Sequence, residues 1–171
     1  MGLDMYLLRK TNFYYGTSTE PGITIKNNNY NIQARRISEI SEEVGYWRKF
    51  NALHNWFVTM CQDGNDDCGT HYVSRENLED LHEALQLIVR NNPKVDGKYP
   101  IVKKEMSANP KNMLPTKEGF FFGSTDYDDN YFDDVENAFT VITNLLSESQ
   151  PTKPHGTIGP VYQHFYYRSS W

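Results

Sequence analysis

The spacing of hydrophobic and polar positions changes several times along the chain. At the start, Leu3, Met5 and Leu7 alternate with Asp4 and Tyr6, the two-residue repeat of a half-buried strand. "GITIK" at 22–26 and "YNIQA" at 30–34 flank Asn27, Asn28 and Asn29. Asparagine tolerates positive φ, so this stretch predicts a hairpin. Residues 11–21, with Gly16 and Pro21, predict a loop before it. From Gly45 to Cys61 the spacing turns helical. Tyr46, Phe50, Leu53, Phe57 and Met60 form one apolar stripe, with Trp47, Asn51, His54 and Val58 beside it. The turn residues of "QDGNDDCG" end this helix.

"HYV" at 71–73 is a short strand candidate. Ser74 then caps a second helix whose core face is Leu78, Leu81, Leu85 and Ile88, closed by Asn91, Asn92 and Pro93. "YPIVKKE" at 99–105 predicts an edge strand, and "GFFFG" at 119–123, an apolar run between glycines, predicts a buried one. A third helix starts near Asp126 or Asp128, where carboxylates suit the positive end of the helix dipole. Its apolar face is Phe132, Val135, Phe139, Ile142, Leu145 and Leu146. After the loop "SESQPTKPHGTIGP", "VYQHFYYR" alternates again as a terminal strand. The sum, about three helices and five to seven strands without an internal repeat, predicts an α+β fold. Residues 1–171 then form one domain, with helices packed on a mostly antiparallel sheet.

A chain of 171 residues buries enough surface to fold without a disulfide or a metal. Net charge is −5, which argues against general nucleic-acid binding, since such affinity rests on neutralised phosphates. Arg35, Arg36, Arg48 and Lys49 still leave room for a local basic patch. "MGLDMYLLRK" carries Asp4 and no long apolar run, so neither a signal peptide nor a membrane span is expected there, and a cytoplasmic location is.

Specific chemistry is sparse. His54, Cys61, Cys68 and His71 are all zinc-ligand types, yet their spacing matches no standard finger. His54 and Cys61 lie two helical turns apart, about 10 Å, too far for one ion. "DGNDDC" and "DYDDNY" imitate calcium loops but lack the glycine at the sixth position and the glutamate at the twelfth. No nucleophile elbow, phosphate-binding loop or dinucleotide fingerprint occurs. No metal, cofactor or catalytic residue is therefore expected.

What remains is recognition. Arg48, Asn51, His54 and Asn55 fall on one side of the first predicted helix, between Trp47 and Trp56. Arginine and aromatic faces stack on planar rings, and asparagine and histidine bond ring edges. The junction after "FFF" offers Phe122, Ser124 and Tyr127, and Trp171 is a large ring that should dock on the body or a second subunit. These residues suit a nucleotide-like ligand, with base–aromatic stacking worth about 1–3 kcal/mol per base.

The blocks "MGLDMYL", "EVGYWRKFNALHNWF", "QDGNDDC", "LPTKEGFFFGSTDYDDNYF" and the "SSW" ending resemble small accessory proteins of tailed bacteriophages and prophages, and the resemblance covers most of the chain. The family brings no catalytic residues with it; its pattern includes Cys68 but not Cys61. It implies a phage setting, in which small accessory proteins counter host defences. Three functions are consistent with that setting. The first is non-catalytic capture of a nucleotide-derived signal by Trp47, Arg48, Asn51, His54, Phe122, Ser124, Tyr127 and Trp171, in a homo-oligomer. The second is inhibition of a defence or nucleic-acid protein by the six acids of Asp126, Asp128, Asp129, Asp133, Asp134 and Glu136. The third is nucleotide degradation, with His54 as general acid/base and Arg48 as charge stabiliser.

Overall fold

A computed structural model describes residues 2–13, 37–102, 109–148 and 161–171. Within them the elements run β1 (Asp4–Phe13), β2 (Glu39–Arg48), α1 (Asn51–Cys61), β3 (Thr70–Val73), α2 (Arg75–Asn91), the one-turn α3 (Pro110–Met113), α4 (Asp129–Glu148) and β4 (Val161–Ser170). The strands form one sheet in the order β2-β1-β4-β3, with every neighbouring pair antiparallel. This is the expected α+β arrangement, helices packed on an antiparallel sheet. Among the described residues, no helix is long and apolar enough to cross a membrane.

The alternation at the chain start fixes which face is buried. Leu3, Met5 and Leu7 point inward and are fully buried, as are Tyr167 of β4 and Val73 of β3. They meet Leu53 and Phe57 of α1, Leu78, Leu81, Leu85 and Ile88 of α2, and Phe132, Val135 and Ile142 of α4 in one core. Ser74 caps α2 with a reciprocal box: its hydroxyl accepts from the Asn77 amide, while Asn77 accepts from the Ser74 amide. Asp128 Oδ1 accepts from the Tyr131 amide and so opens α4. Arg9 forks onto Glu42 at 2.8 and 2.9 Å and reaches Glu148 at 3.4 Å, tying β1 to β2 and to the end of α4. That pairing holds Glu42 below the usual carboxylate range.

The opposite face of the sheet carries Tyr6 on β1, Tyr46 and Arg48 on β2, Tyr166 and Arg168 on β4 and Tyr72 on β3. The Tyr6 and Tyr46 rings meet at 5.3 Å, and Tyr72 lies edge-on to Tyr166 at 5.9 Å.

Three expectations need correction. The first helix does not begin at Gly45. Residues 45–48 pair with β1 in the register Leu7↔Gly45, Tyr6↔Tyr46, Met5↔Trp47 and Asp4↔Arg48. Their aromatic spacing also fits a period of two, with Gly45 and Trp47 buried and Tyr46 and Arg48 outside. A strand partner for β1 outweighs the helical spacing. Lys49 then takes φ 60, and this single left-handed residue turns strand into helix.

The second concerns "GFFFG", which is a turn rather than a strand. The Phe122 amide returns to the Gly119 carbonyl, and only Phe122 of the three phenylalanines is buried. Phe120 is 93% exposed. The third concerns "YPIVKKE": residues 99–102 form no strand, and 103–105 lie outside the described residues. The Asn-centred hairpin at 22–34 and most of the loops at 11–21 and 147–160 also lie outside them, while Thr11–Phe13 extend β1 and Ser147–Glu148 end α4.

Candidate functional site

The turn at Lys49 shapes the first site. Gly123, at φ +90, passes so close that an added Cβ would stand 3.0 Å from the Lys49 carbonyl oxygen. Only glycine allows this approach and this backbone angle together. Asn51, at the first turn of α1, secures the same loop. Its side-chain amide donates to the carbonyls of Phe122 and Ser124 at 3.1 and 2.7 Å, and its oxygen accepts from the Lys117 amide at 3.0 Å.

Between the junction, this loop and the start of α4 lies a cleft of about 300 Å³. Arg48 and Lys49 stand on its β2–α1 side, and Asp126, Asp128 and Asp134 on its α4 side. Ser124, Thr116 and Asn130 add neutral polar groups. Arg48 is largely exposed, and its nearest carboxylate is Asp4 at 3.8 Å. Asp126 and Asp128 are partly engaged by Ser124 and by the α4 cap. Asp134 has no hydrogen-bond partner among the described residues. Burial, helped by the charges of Asp133 and Asp128, pushes its carboxyl up to about 6. The cleft therefore offers cations at one end and acceptors at the other, with one carboxyl poised near neutrality.

A second, enclosed cluster lies behind α1. His54 is fully buried, with Nδ1 2.7 Å from the Tyr167 hydroxyl and Nε2 2.9 Å from Asp66 Oδ2. An ionised carboxylate only accepts, so Nε2 carries the proton and Nδ1 accepts from Tyr167. Burial lowers the His54 pKa against the pull of Asp66, which keeps the ring neutral. The Trp171 indole donates to Asp66 Oδ1 at 3.2 Å and lies edge-on to Phe122, whose ring stands edge-on to His54 at 5.0 Å. Tyr167 stacks on Phe57 at 4.2 Å.

The eight residues singled out from sequence thus separate. Arg48, Asn51 and Ser124 line the cleft. His54, Phe122 and Trp171 belong to the enclosed cluster, with Trp171 half-exposed at its rim. Trp47 is in the core, its indole nitrogen without a partner among the described residues. Tyr127 braces the loop, accepting from the Thr116 amide at 3.1 Å, and borders a shallower depression beside Tyr99 and Ile101. Sequence reasoning missed Lys49, Thr116, Asp126, Asp128, Asn130 and Asp134 as polar residues of the cleft. The acid run was a signal for Asp134, but its inward direction depends on how α4 packs.

His71 is paired with Asp67 at 2.7 Å, and burial pushes the Cys61 thiol up to about 12. Among the described residues, no three His, Cys, Asp or Glu side chains converge as metal ligands. Comparison with protein-family models, with curated proteins and with solved structures finds nothing that matches this chain.

Proposed function

We propose that the protein captures a small nucleotide-derived molecule without cleaving it, as an accessory counter-defence protein of bacteriophage type acting in the host cytoplasm. The observation that carries the reading is the divided charge of the 300 Å³ cleft. A phosphate suits the Arg48 and Lys49 end, where charge-assisted bonds are strongest. The hydroxyl and amino donors of a ribose or base suit Asp126, Asp128 and Asp134 opposite. Lys49 supports the reading too, because backbone held in the left-handed region costs free energy and gathers at binding sites.

Capture is favoured over degradation by the state of His54. Both ring nitrogens are engaged, the ring is buried, and no ligand atom in the cleft would meet it. The inhibitor reading needs one continuous acidic face. Asp133 instead pairs with Lys94 at 2.7 Å and accepts from Tyr99, while Asp126, Asp128 and Asp134 line the cleft.

The test is calorimetric titration with nucleoside monophosphates, cyclic nucleotides and ADP-ribose, followed by chromatography of the recovered ligand. Binding with the ligand recovered intact is expected. Arg48→Ala should weaken it at least tenfold, since a charged hydrogen bond is worth about 1.5–3 kcal/mol. The melting temperature should hardly move, because the exposed Arg48–Asp4 pair contributes little. Affinity unchanged in Arg48→Ala and in Lys49→Ala, or recovery of cleaved products, would overturn the reading.

A further inference from the structure

The outer face of the sheet has a composition that the core does not require. Tyr46 is 47% exposed and Tyr72 55%, at the two edge strands. Between them the Arg168 guanidinium lies over the Tyr6 ring at 4.7 Å, and the Lys10 ammonium over the Tyr166 ring at 5.3 Å. Register places these groups side by side: Tyr46 opposite Tyr6, Tyr6 opposite Arg168, and Tyr166 opposite Tyr72. Four tyrosines and two cations thus share one face of four adjacent strands, about 14 Å from edge to edge.

We propose that this face binds single-stranded nucleic acid, with Tyr46 and Tyr72 stacking on bases and Arg168 meeting the phosphate backbone. Flat rings interleaved with cations are what a single strand needs, since every base has a stackable face and every linkage a charge. A duplex hides its base faces and cannot use the rings. The net charge of −5 does not oppose this locally. Of the carboxylates on this face, Asp4 accepts from the Tyr46 hydroxyl at 2.6 Å, Glu39 pairs with Lys10 at 3.1 Å, and Glu43, opposite Leu8 on the β2 edge, is exposed, so the cationic part of the face is its β4 side around Arg168. Arg168 is exposed and has no carboxylate partner among the described residues, which leaves its charge available to a phosphate. A second copy seated on the same face would bring like cations together in a self-complementary contact. The polyanion is therefore the better complement.

The face is separate from the cleft apart from Arg48, so the test uses residues remote from the cleft. The probe is a fluorescein-labelled oligodeoxythymidylate of about 12 nucleotides, within the usual range of single-strand site sizes. Its anisotropy is read against full-length protein at low and at moderate salt. Binding that weakens with salt is expected, with a roughly tenfold loss in Tyr72→Ala and in Arg168→Ala, and retention in Tyr72→Phe. The labelled duplex should not bind. These variants should bind mononucleotides as the parent does, so failure here is distinguishable from failure of the capture reading.

Any of three results would overturn the proposal. One is no anisotropy change at low salt. Another is strand binding that is indifferent to both alanine variants and displaced by mononucleotide, which would move the strand to the cleft. The last is self-association, abolished by Tyr72→Ala, in a protein that ignores the strand.

Discussion

At the scale of single residues, Asn51 and His54 show how a polar side chain on an aromatic helix can hold structure together rather than face a ligand. The Asn51 side chain is 3% exposed as a residue and makes three hydrogen bonds to backbone groups of the 117–124 segment. Replacement by alanine strands two carbonyls and an amide in a poorly hydrated place. Asn51→Ala should cost roughly 2–3 kcal/mol in urea unfolding. Asn51→Asp should cost more, because a carboxylate would face the carbonyls of Phe122 and Ser124 without a proton to donate. A loss below about 0.5 kcal/mol would show that the latch is dispensable. The sequence made Asn51 and His54 visible as special positions on an apolar helix. It did not show their partners, which come from 66, 117, 122, 124 and 167 and meet them only through tertiary contact.

At the scale of elements, legibility followed the range of the interactions that decide each one. The strand at the chain start, α2 with its Ser74–Asn77 box and α4 with its acidic start are set by local pattern and capping, and all three were readable. Residues 45–48 and 119–123 were not. The first stretch is a strand because β1, some forty residues earlier, supplies its partner. The second is a turn because it must fold back under Lys49 and place one phenylalanine of three inward. Gly123 is where that demand is sharpest, with positive φ and a backbone neighbour together. Gly64 shares the positive φ, at +78, but has nothing within 4 Å of an added Cβ. Gly123→Ala should therefore destabilise by about 1–3 kcal/mol and exceed Gly64→Ala, which meets only the backbone term. The same variant should also loosen ligand binding in the cleft, since the loop carries Ser124 and Asp126. Equal losses for the two glycines, measured by thermal unfolding, would remove the close approach from the account.

At the scale of the whole molecule, two ionisable groups, one fully buried and one half-buried, act on stability with opposite signs. Burial lowers the folded pKa of His54 below its ordinary 6.5, with Asp66 opposing and Lys117 assisting. The unfolded chain then takes up the proton first, so this contribution is complete above about pH 6.5 and declines as pH falls through that value. Asp134 is the reverse case. Its carboxyl is pushed up to about 6 from 3.8, so the folded chain holds the proton first. Stability from this group is present at low pH and is lost as pH rises from about 4 through about 6. In the parent protein the two trends oppose one another as pH falls below about 6.5, so the acid response of the urea midpoint should be smaller than either group alone would give. Separate variants uncouple them. Asp134→Asn should be more stable than the parent at neutral pH, by of order 1 kcal/mol after solvent screening, and should then weaken as pH falls below about 6.5. His54→Asn loses the bonds to Tyr167 and Asp66 and starts less stable, yet should gain stability on acidification from about pH 6 to pH 4 as Asp134 is protonated. The carboxylates with depressed pKa, such as Glu42 and Asp133, begin to lose stability as pH falls through their ordinary values of 4.5 and 3.8 and go on losing it down to their lowered folded ones. Identical pH profiles for the two variants would mean that neither group titrates differently in the folded chain. In that case the cleft would hold Asp134 as an ordinary exposed carboxylate.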